Sequence, residues 1–418
     1  MQKTPKALRL HIGFFGRTNV GKSSFLNVIS GQDVSITSEH AGTTTDVVEK
    51  TMEFLPVGAI VILDTAGLDD TSQLSQKRLE KTRKVFDRAD VIAIICEPNK
   101  WTDFEDSIIK EAEKRKTPVI IVINKADSEI PADDFMAILR GQSENIVIGN
   151  SVNASDANKF RQDFKMELIK KLPEDFITPP TLIGDILPKK SVIMLVIPID
   201  FEAPKGRIIL PQVQTIRDAL DNDFMTIIVK ETELLEMLDK LKTPPDLIIC
   251  DSQAIKQVAK DTPKDIPLTT FSIIFARYKG DLVAFTKGVN AIRNLMPDDK
   301  VLIAEACSHH PITGDIGREK IPNWLNEYLG FNVKFDVFAG KDFPENLSEY
   351  KVIIHCGSCM TNRRALLSRI HIAQDHGVPI TNYGIAISLL QGALPRTLEP
   401  FADAYSVYKE MKSKIPVV

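Results

Sequence analysis

The segment Gly16-Arg17-Thr18-Asn19-Val20-Gly21-Lys22-Ser23 constrains this chain more than any other feature. It fits the pattern G-x-x-x-x-G-K-[ST], follows the apolar run Leu10–Phe15 and opens a stretch with helical spacing. A loop of this kind turns backbone N–H groups inward onto phosphates, which only glycines at the crowded positions permit. The helix beginning near Lys22 adds the positive end of its dipole. Lys22 is the point charge for the outer phosphates, and Ser23 offers a hydroxyl to Mg²⁺; Gly16, Asn19, Val20, Gly21 and Ser24 complete the expected cradle. Such a strand–loop–helix belongs to a mostly parallel sheet covered on both faces, so the first domain is expected to be a P-loop nucleotide-binding fold, and a P-loop GTPase fold if its companions select guanine.

Two companions choose the nucleotide. Asp64-Thr65-Ala66-Gly67 ends the apolar run Ile60–Leu63, where Asp64 can hold the Mg²⁺ shell and the Gly67 N–H can meet the terminal phosphate. Lys22, Asp64 and Gly67 are therefore the expected catalytic residues. Asn124-Lys125-Ala126-Asp127 ends the run Val119–Ile123. A carboxylate at Asp127 can accept both guanine N1–H and the exocyclic amine, and adenine presents no such donor pair. Asn124, Lys125 and Asp127 thus point to GTP, with Ser151 as a further contact on the base side. Gly42-Thr43-Thr44-Thr45-Asp46 lies between the phosphate loop and Asp64, where a threonine can complete the Mg²⁺ shell beside Ser23.

The rest of the chain is longer than one core requires, since 418 residues exceed the usual size of a domain. A connector, Ile177-Thr178-Pro179-Pro180, interrupts the first α/β alternation, and Pro297-Asp298-Asp299 interrupts the second. The reading is α/β throughout, three tandem α/β domains: a GTP-binding domain over 1–176, a second over 181–296 and a third over 297–418. The stretch Ile273–Leu295 reads as a helix apolar on more than one side, expected to be buried against another domain or a second subunit. A net charge of −4 argues against nucleic acid as a partner, and no apolar run is long enough to span a bilayer. With no apolar leader segment, a cytoplasmic location is expected.

Five cysteines, an odd number, do not form a disulfide framework. Cys96 and Cys250 end apolar runs and read as core residues. The other three do not. Cys307-Ser308-His309 follows the run Val301–Ala304, and His355-Cys356-Gly357-Ser358-Cys359 follows Val352–Ile354. Ligands at the carboxyl ends of two strands can converge on one edge of a sheet. Three thiolates suit Zn²⁺ or an iron–sulfur cluster, and the spacing leaves that choice open. Glu305 lies two residues before Cys307, on the same face of an extended strand.

The phosphate loop and the G-T-T-x-D run resemble the TrmE–Era class of GTPases. That resemblance implies Thr44 as the Mg²⁺ ligand and Asn19 as a K⁺ ligand, with Glu39–Thr44 enclosing the ion. Leu68 stands where Ras-like proteins place a water-positioning glutamine, so slow, K⁺-stimulated turnover is expected. Joined to C-x-H…H-C-x-x-C, this domain resembles the HydF family, the scaffold GTPases of FeFe-hydrogenase maturation. The resemblance covers the whole chain and implies a 4Fe–4S cluster on Cys307, Cys356 and Cys359, with Glu305, His309 or His355 as candidates for the fourth ligand. It also implies a homodimer through the middle domain, two radical-SAM maturases as partners, and carriage of a 2Fe precursor to apo FeFe-hydrogenase. The alternative is a zinc-stabilised GTPase of ribosome or RNA maturation.

Overall fold

In the computed structural model, residues 5–31, 37–38, 47–65, 82–177, 180–199, 208–306, 315–340, 343–344 and 346–413 are described. The chain divides into two compact units, Met1–Pro179 and Pro180–Val418.

The first unit is built on strands β1 (Leu10–Phe15), β2 (Thr37–Ser38), β3 (Val48–Phe54), β4 (Gly58–Asp64), β5 (Val91–Cys96), β6 (Val119–Ile123) and β7 (Ile146–Ile148). Their order is β2-β3-β4-β1-β5-β6-β7. The five strands from β4 to β7 run parallel, and β3 pairs antiparallel with β4. Every residue of β1 and β5 is buried, as expected of strands covered on both faces. Helices α1 (Lys22–Ser30), α2 (Asp103–Lys114), α3 (Asp133–Gln142) and α4 (Ala154–Lys170) supply that cover. Phe25 of α1 packs on Phe160 and Phe164 of α4, at ring separations of 4.9 and 5.2 Å. Strand β3 has no counterpart in the sequence reading. Its Glu49, Lys50 and Glu53 obscure the alternation that Met52 and Phe54 carry into the core. An amphipathic stretch over Gln76–Phe86, which reads as a helix in the sequence, lies mostly outside the described residues.

The second unit holds two four-stranded, all-parallel sheets. One contains β8 (Val192–Val196), β9 (Met225–Val229), β10 (Leu247–Cys250) and β11 (Leu268–Thr270), in the order β11-β10-β8-β9. The other contains β12 (Lys300–Glu305), β13 (Lys334–Ala339), β14 (Val352–His355) and β15 (Ile380–Asn382), in the order β13-β12-β14-β15. The segments 181–296 and 297–418 thus hold one sheet each, but a single buried core runs from Leu182 to Tyr408 beneath both.

The single helix expected over Ile273–Leu295 is two. Helix α5 (Phe271–Lys279) ends at Gly280, and α6 (Leu282–Val289) restarts on an N-cap in which Asp281 accepts the Ala284 N–H. A side chain at Gly280 would meet Phe285 at 2.6 Å, so the break also lets α6 pack close. Both helices are buried within the unit's own core, α5 against α7 (Arg363–Asp375) and α8 (Tyr383–Leu390).

Candidate functional site

Backbone geometry explains the glycines of the phosphate loop. Gly21 sits at φ +92, and a Cβ there would lie 2.2 Å from Asn124 Nδ2. A Cβ at Gly16 would lie 2.4 Å from the Ile95 carbonyl oxygen. Both positions forbid a side chain. Asn19 also adopts positive φ, at 64°, and is exposed at the loop tip with Ser23 and Ser24 beyond it. Lys22 is buried and donates back to the carbonyls of Gly16 and Arg17, the latter at 2.8 Å. Its ammonium is thereby folded into the loop it is expected to serve. Asp64 ends β4 opposite Phe14 of β1, two residues before Gly16 in the chain, and its side chain is buried. Lys50 Nζ lies 4.0 Å from it.

The base-side residues are joined to the same loop. Asn124, 1% exposed, donates through Nδ2 to Val20 O at 3.0 Å. Its Oδ1 accepts the Ser151 N–H at 3.2 Å and the Ser151 hydroxyl at 2.8 Å. Lys125 donates to Asn19 O and to Glu97, whose carboxyl is held below its ordinary range by Lys125 and Lys100. Asp127 is exposed, with its carboxylate open to a ligand. The structure therefore gathers Gly16, Asn19, Val20, Gly21, Lys22, Asp64, Asn124, Lys125 and Ser151 around one loop. Thr44, Gly67 and the loop Glu39–Thr44 lie outside the described residues.

A second constellation lies where β12 and β14 end side by side, with Ala304 opposite His355. The Cys356 N–H donates to Ala304 O at 2.8 Å, and the Ala306 N–H donates to Cys356 Sγ at 3.1 Å. Ser358, at φ 50, bends the turn that carries Cys359. Neither Cys356 nor Cys359 is in a disulfide. Burial raises the Cys356 thiol, and the backbone donors at Ser358 and Ala306 oppose that shift. Cys307 and His309 lie outside the described residues. Among the described residues no three Cys, His, Asp or Glu side chains gather into a metal site.

The two described candidates for a fourth ligand have partners already. His355 is fully buried, with Nδ1 2.8 Å from Cys356 O and Nε2 2.9 Å from Arg369 Nη1. A guanidinium only donates, so Nε2 is the acceptor and Nδ1 carries the proton. No lone pair remains for a metal in this arrangement. Burial and the Arg369 charge lower its pKa to about 3, which keeps the ring neutral. Glu305, 2% exposed, pairs through Oε2 with Arg318 Nη2 at 3.1 Å. Cys96 and Cys250 are fully buried core residues, as their sequence context indicates; burial pushes the Cys96 thiol up to about 12 and raises that of Cys250.

Residues 182–280 match the family model of the hydrogen maturase F dimerization domain, and 283–400 match that of the tetramerization domain. The chain belongs to the hydrogen maturase F family. Residues 11–125 match the family model described as 50S ribosome-binding GTPase. The two maturase models meet between 280 and 283, earlier than the boundary after 296 read from the sequence. Among curated relatives, GTPase Era of Glaesserella parasuis is 30% identical over 179 residues, 40% of this chain and 59% of that protein. The tRNA modification GTPase MnmE of a Cyanothece strain is 40% identical over 122 residues, 28% of this chain and 25% of that protein. The chain therefore spans less than two thirds of either relative. Among solved structures, Aquifex aeolicus Era bound to GDP·AlF4− is 20% identical, covering 53% of this chain and 93% of that one, with a TM-score of 0.31.

In this hydrogen maturase F chain, two residues that sequence reasoning passed over stand at the cysteine corner. Arg369 accounts for His355, and donates to Gly340 O at 2.7 Å as well. Lys279, 1% exposed, donates to the carbonyls of Ser358, Cys359 and Thr361, each at 3.0 Å. Burial lowers its pKa to about 8, against the opposing pull of Cys359 and Cys356. A signal for Lys279 exists in the sequence. It continues the four-residue spacing of Phe271 and Phe275, the buried face of α5.

Proposed function

We propose that this chain is a GTPase of hydrogenase maturation whose N-terminal unit hydrolyses GTP and whose C-terminal cysteines hold an iron–sulfur cluster. The observation that carries this reading is the corner where β12 and β14 end. Ala306 donates to Cys356 Sγ there, and Cys307 follows Ala306 by one peptide bond. Chain connectivity thus supports Cys307 as third thiolate beside Cys356 and Cys359. The donor chemistry fits a thiolate-held group: a backbone N–H on sulfur and a buried ammonium both favour sulfur in its anionic form. When bound, the cluster supplies an electron-accepting iron–sulfur centre with an iron site open to an exchangeable ligand. With three thiolates, the fourth position falls to Glu305, His309 or an exogenous ligand, and His355 instead orients Cys356 through its carbonyl.

At the other end, Lys22 leaves its contacts with Gly16 O and Arg17 O to reach the outer phosphates. The phosphate-loop N–H groups bind the same anion, and Asp127 selects guanine. Ser23, Thr44 and Asp64 would hold Mg²⁺, and Asn19 would hold K⁺, which would supply positive charge beside the phosphates as an arginine finger does. Gly67 contacts the terminal phosphate.

Self-association is a property of the matched domains, as their descriptions state. We assign the homodimer contact to β9, an edge strand on which Met225 and Ile228 are 54% and 52% exposed. The partners in this reading are two radical-SAM maturases and the apo FeFe-hydrogenase, which receives a 2Fe precursor, in the cytoplasm. No helix among the described residues is long and apolar enough to cross a membrane.

The test is anaerobic reconstitution of the wild type, of Lys22→Ala and of the triple Cys307→Ser, Cys356→Ser, Cys359→Ser variant. Iron, sulfide and zinc contents, paramagnetic spectra, GTP turnover and hydrogenase activation are read on each. The triple variant is expected to lose iron and activation and keep GTP turnover; Lys22→Ala is expected to do the reverse for iron and turnover. Stoichiometric zinc without a reducible cluster would refute the carrier reading and favour the zinc-stabilised GTPase.

A further inference from the structure

Lys279 belongs to the matched dimerization domain, whereas Cys356 and Cys359 belong to the tetramerization domain. It is the last residue of α5, and its ammonium reaches the turn that carries both sulfurs. All three protons of its ammonium are directed at carbonyls of one turn, those of Ser358, Cys359 and Thr361. The contact is reciprocated. Arg363, at the start of α7, donates to the carbonyls of Tyr278 and Gly280, which flank Lys279. The two cations thus clamp the end of α5 to the loop between β14 and α7.

Hydrogen bonding alone does not account for a charged residue at this place. A neutral donor could satisfy carbonyls, and a buried ammonium is costly without an opposing charge. Among the described residues, the ionisable groups whose charge favours the Lys279 ammonium are Cys359 and Cys356. The charge that the pocket lacks is the charge that two thiolates supply when they hold a metal centre.

We propose that Lys279 is the resident counter-cation of the cysteine site: it positions the Cys356–Cys359 turn and, through its charge, favours the reduced state of the cluster bound there. The inference rests on the iron–sulfur reading above. Reduction adds one electron to an anionic cluster, so a fixed positive charge beside its sulfurs stabilises the product more than the reactant. The residue is a positioning residue with an electrostatic effect and takes no part in GTP hydrolysis.

Lys279→Gln keeps donors and removes the charge; Lys279→Arg keeps the charge and alters the donor geometry. Both are reconstituted anaerobically, checked for iron content and thermal stability, and titrated with dithionite under paramagnetic-resonance detection. In Lys279→Gln, the reduced-to-oxidised ratio at a given potential is expected to fall at least tenfold, about 59 mV for a one-electron couple. In Lys279→Arg it is expected to stay near the wild type. A loaded Lys279→Gln cluster with wild-type potential overturns the proposal and leaves the iron–sulfur reading intact. An equal drop in Lys279→Arg also overturns it, because geometry and not charge would then set the potential. If Lys279→Gln does not fold, Lys279→Met supplies the uncharged arm and Lys279→Arg still decides. Wild-type protein that takes up no iron overturns the underlying reading and this proposal with it.

Discussion

Asn124→Ala tests whether the nucleotide site is held together as the structure describes. The side chain spans three segments: it donates to Val20 O at 3.0 Å and accepts from the Ser151 N–H at 3.2 Å and hydroxyl at 2.8 Å. At 1% exposure, no water replaces those partners directly. Three neutral hydrogen bonds at about 0.5–1.5 kcal/mol each total roughly 2–4 kcal/mol. The nucleotide binds only when both loops are in place, so the loss should appear in affinity, as a rise in Kd of about 30- to 700-fold at 1.4 kcal/mol per decade. Ser151→Ala is the internal scale. It removes one of the three contacts and leaves the backbone donor, so a loss of about 1 kcal/mol, roughly fivefold, is expected. The assay is titration of the full chain with a fluorescent GTP analogue, together with thermal melts. A Kd for Asn124→Ala within threefold of the wild type, in a folded protein, would show that these bonds do not assemble the site.

Three further outcomes follow from the same geometry. Asp127→Asn should weaken GTP binding by about 2–4 kcal/mol and favour xanthosine nucleotides, because a carboxylate with two acceptors becomes an amide; competition between the two nucleotides measures it. GTP turnover should be several-fold faster in K⁺ than in Na⁺ at matched ionic strength, and Asn19→Ala should remove the difference; equal wild-type rates in both salts contradict the K⁺ assignment. His11 is buried against Arg9 O, and burial together with Arg88 lowers its pKa to about 3. Its folded pKa lies below the unfolded one, so its contribution is complete above pH ~6.5 and is lost as pH falls towards 3, by up to about 1.4 kcal/mol per pH unit. His11→Gln should flatten that acid slope in denaturant melts between pH 7 and 4; an unchanged slope would show that another group titrates there.

The sequence alone determined whatever depends on neighbours along the chain. The runs Leu10–Phe15 and Val119–Ile123 are strands with those same bounds, because strands buried on both faces need no partner to be recognised as apolar. The phosphate loop is legible because its pattern is contiguous in the chain and Gly21 answers to a local backbone angle, φ +92. The two cysteine clusters stand out by type and spacing. Tertiary structure decided the rest. Strand β3 gains its place from pairing with β4, which its charged residues conceal. The helix expected over Ile273–Leu295 breaks at Gly280, where the lack of a side chain lets Phe285 of α6 pack close. Lys279 shows in the sequence only its place on the buried face of α5 until the fold brings it to carbonyls 79 to 82 residues away, and His355 is one of three candidate fourth ligands until the fold sets Arg369 against its Nε2. Burial and charge compensation are properties of a three-dimensional neighbourhood, and residues that act through them leave little trace in the residues beside them.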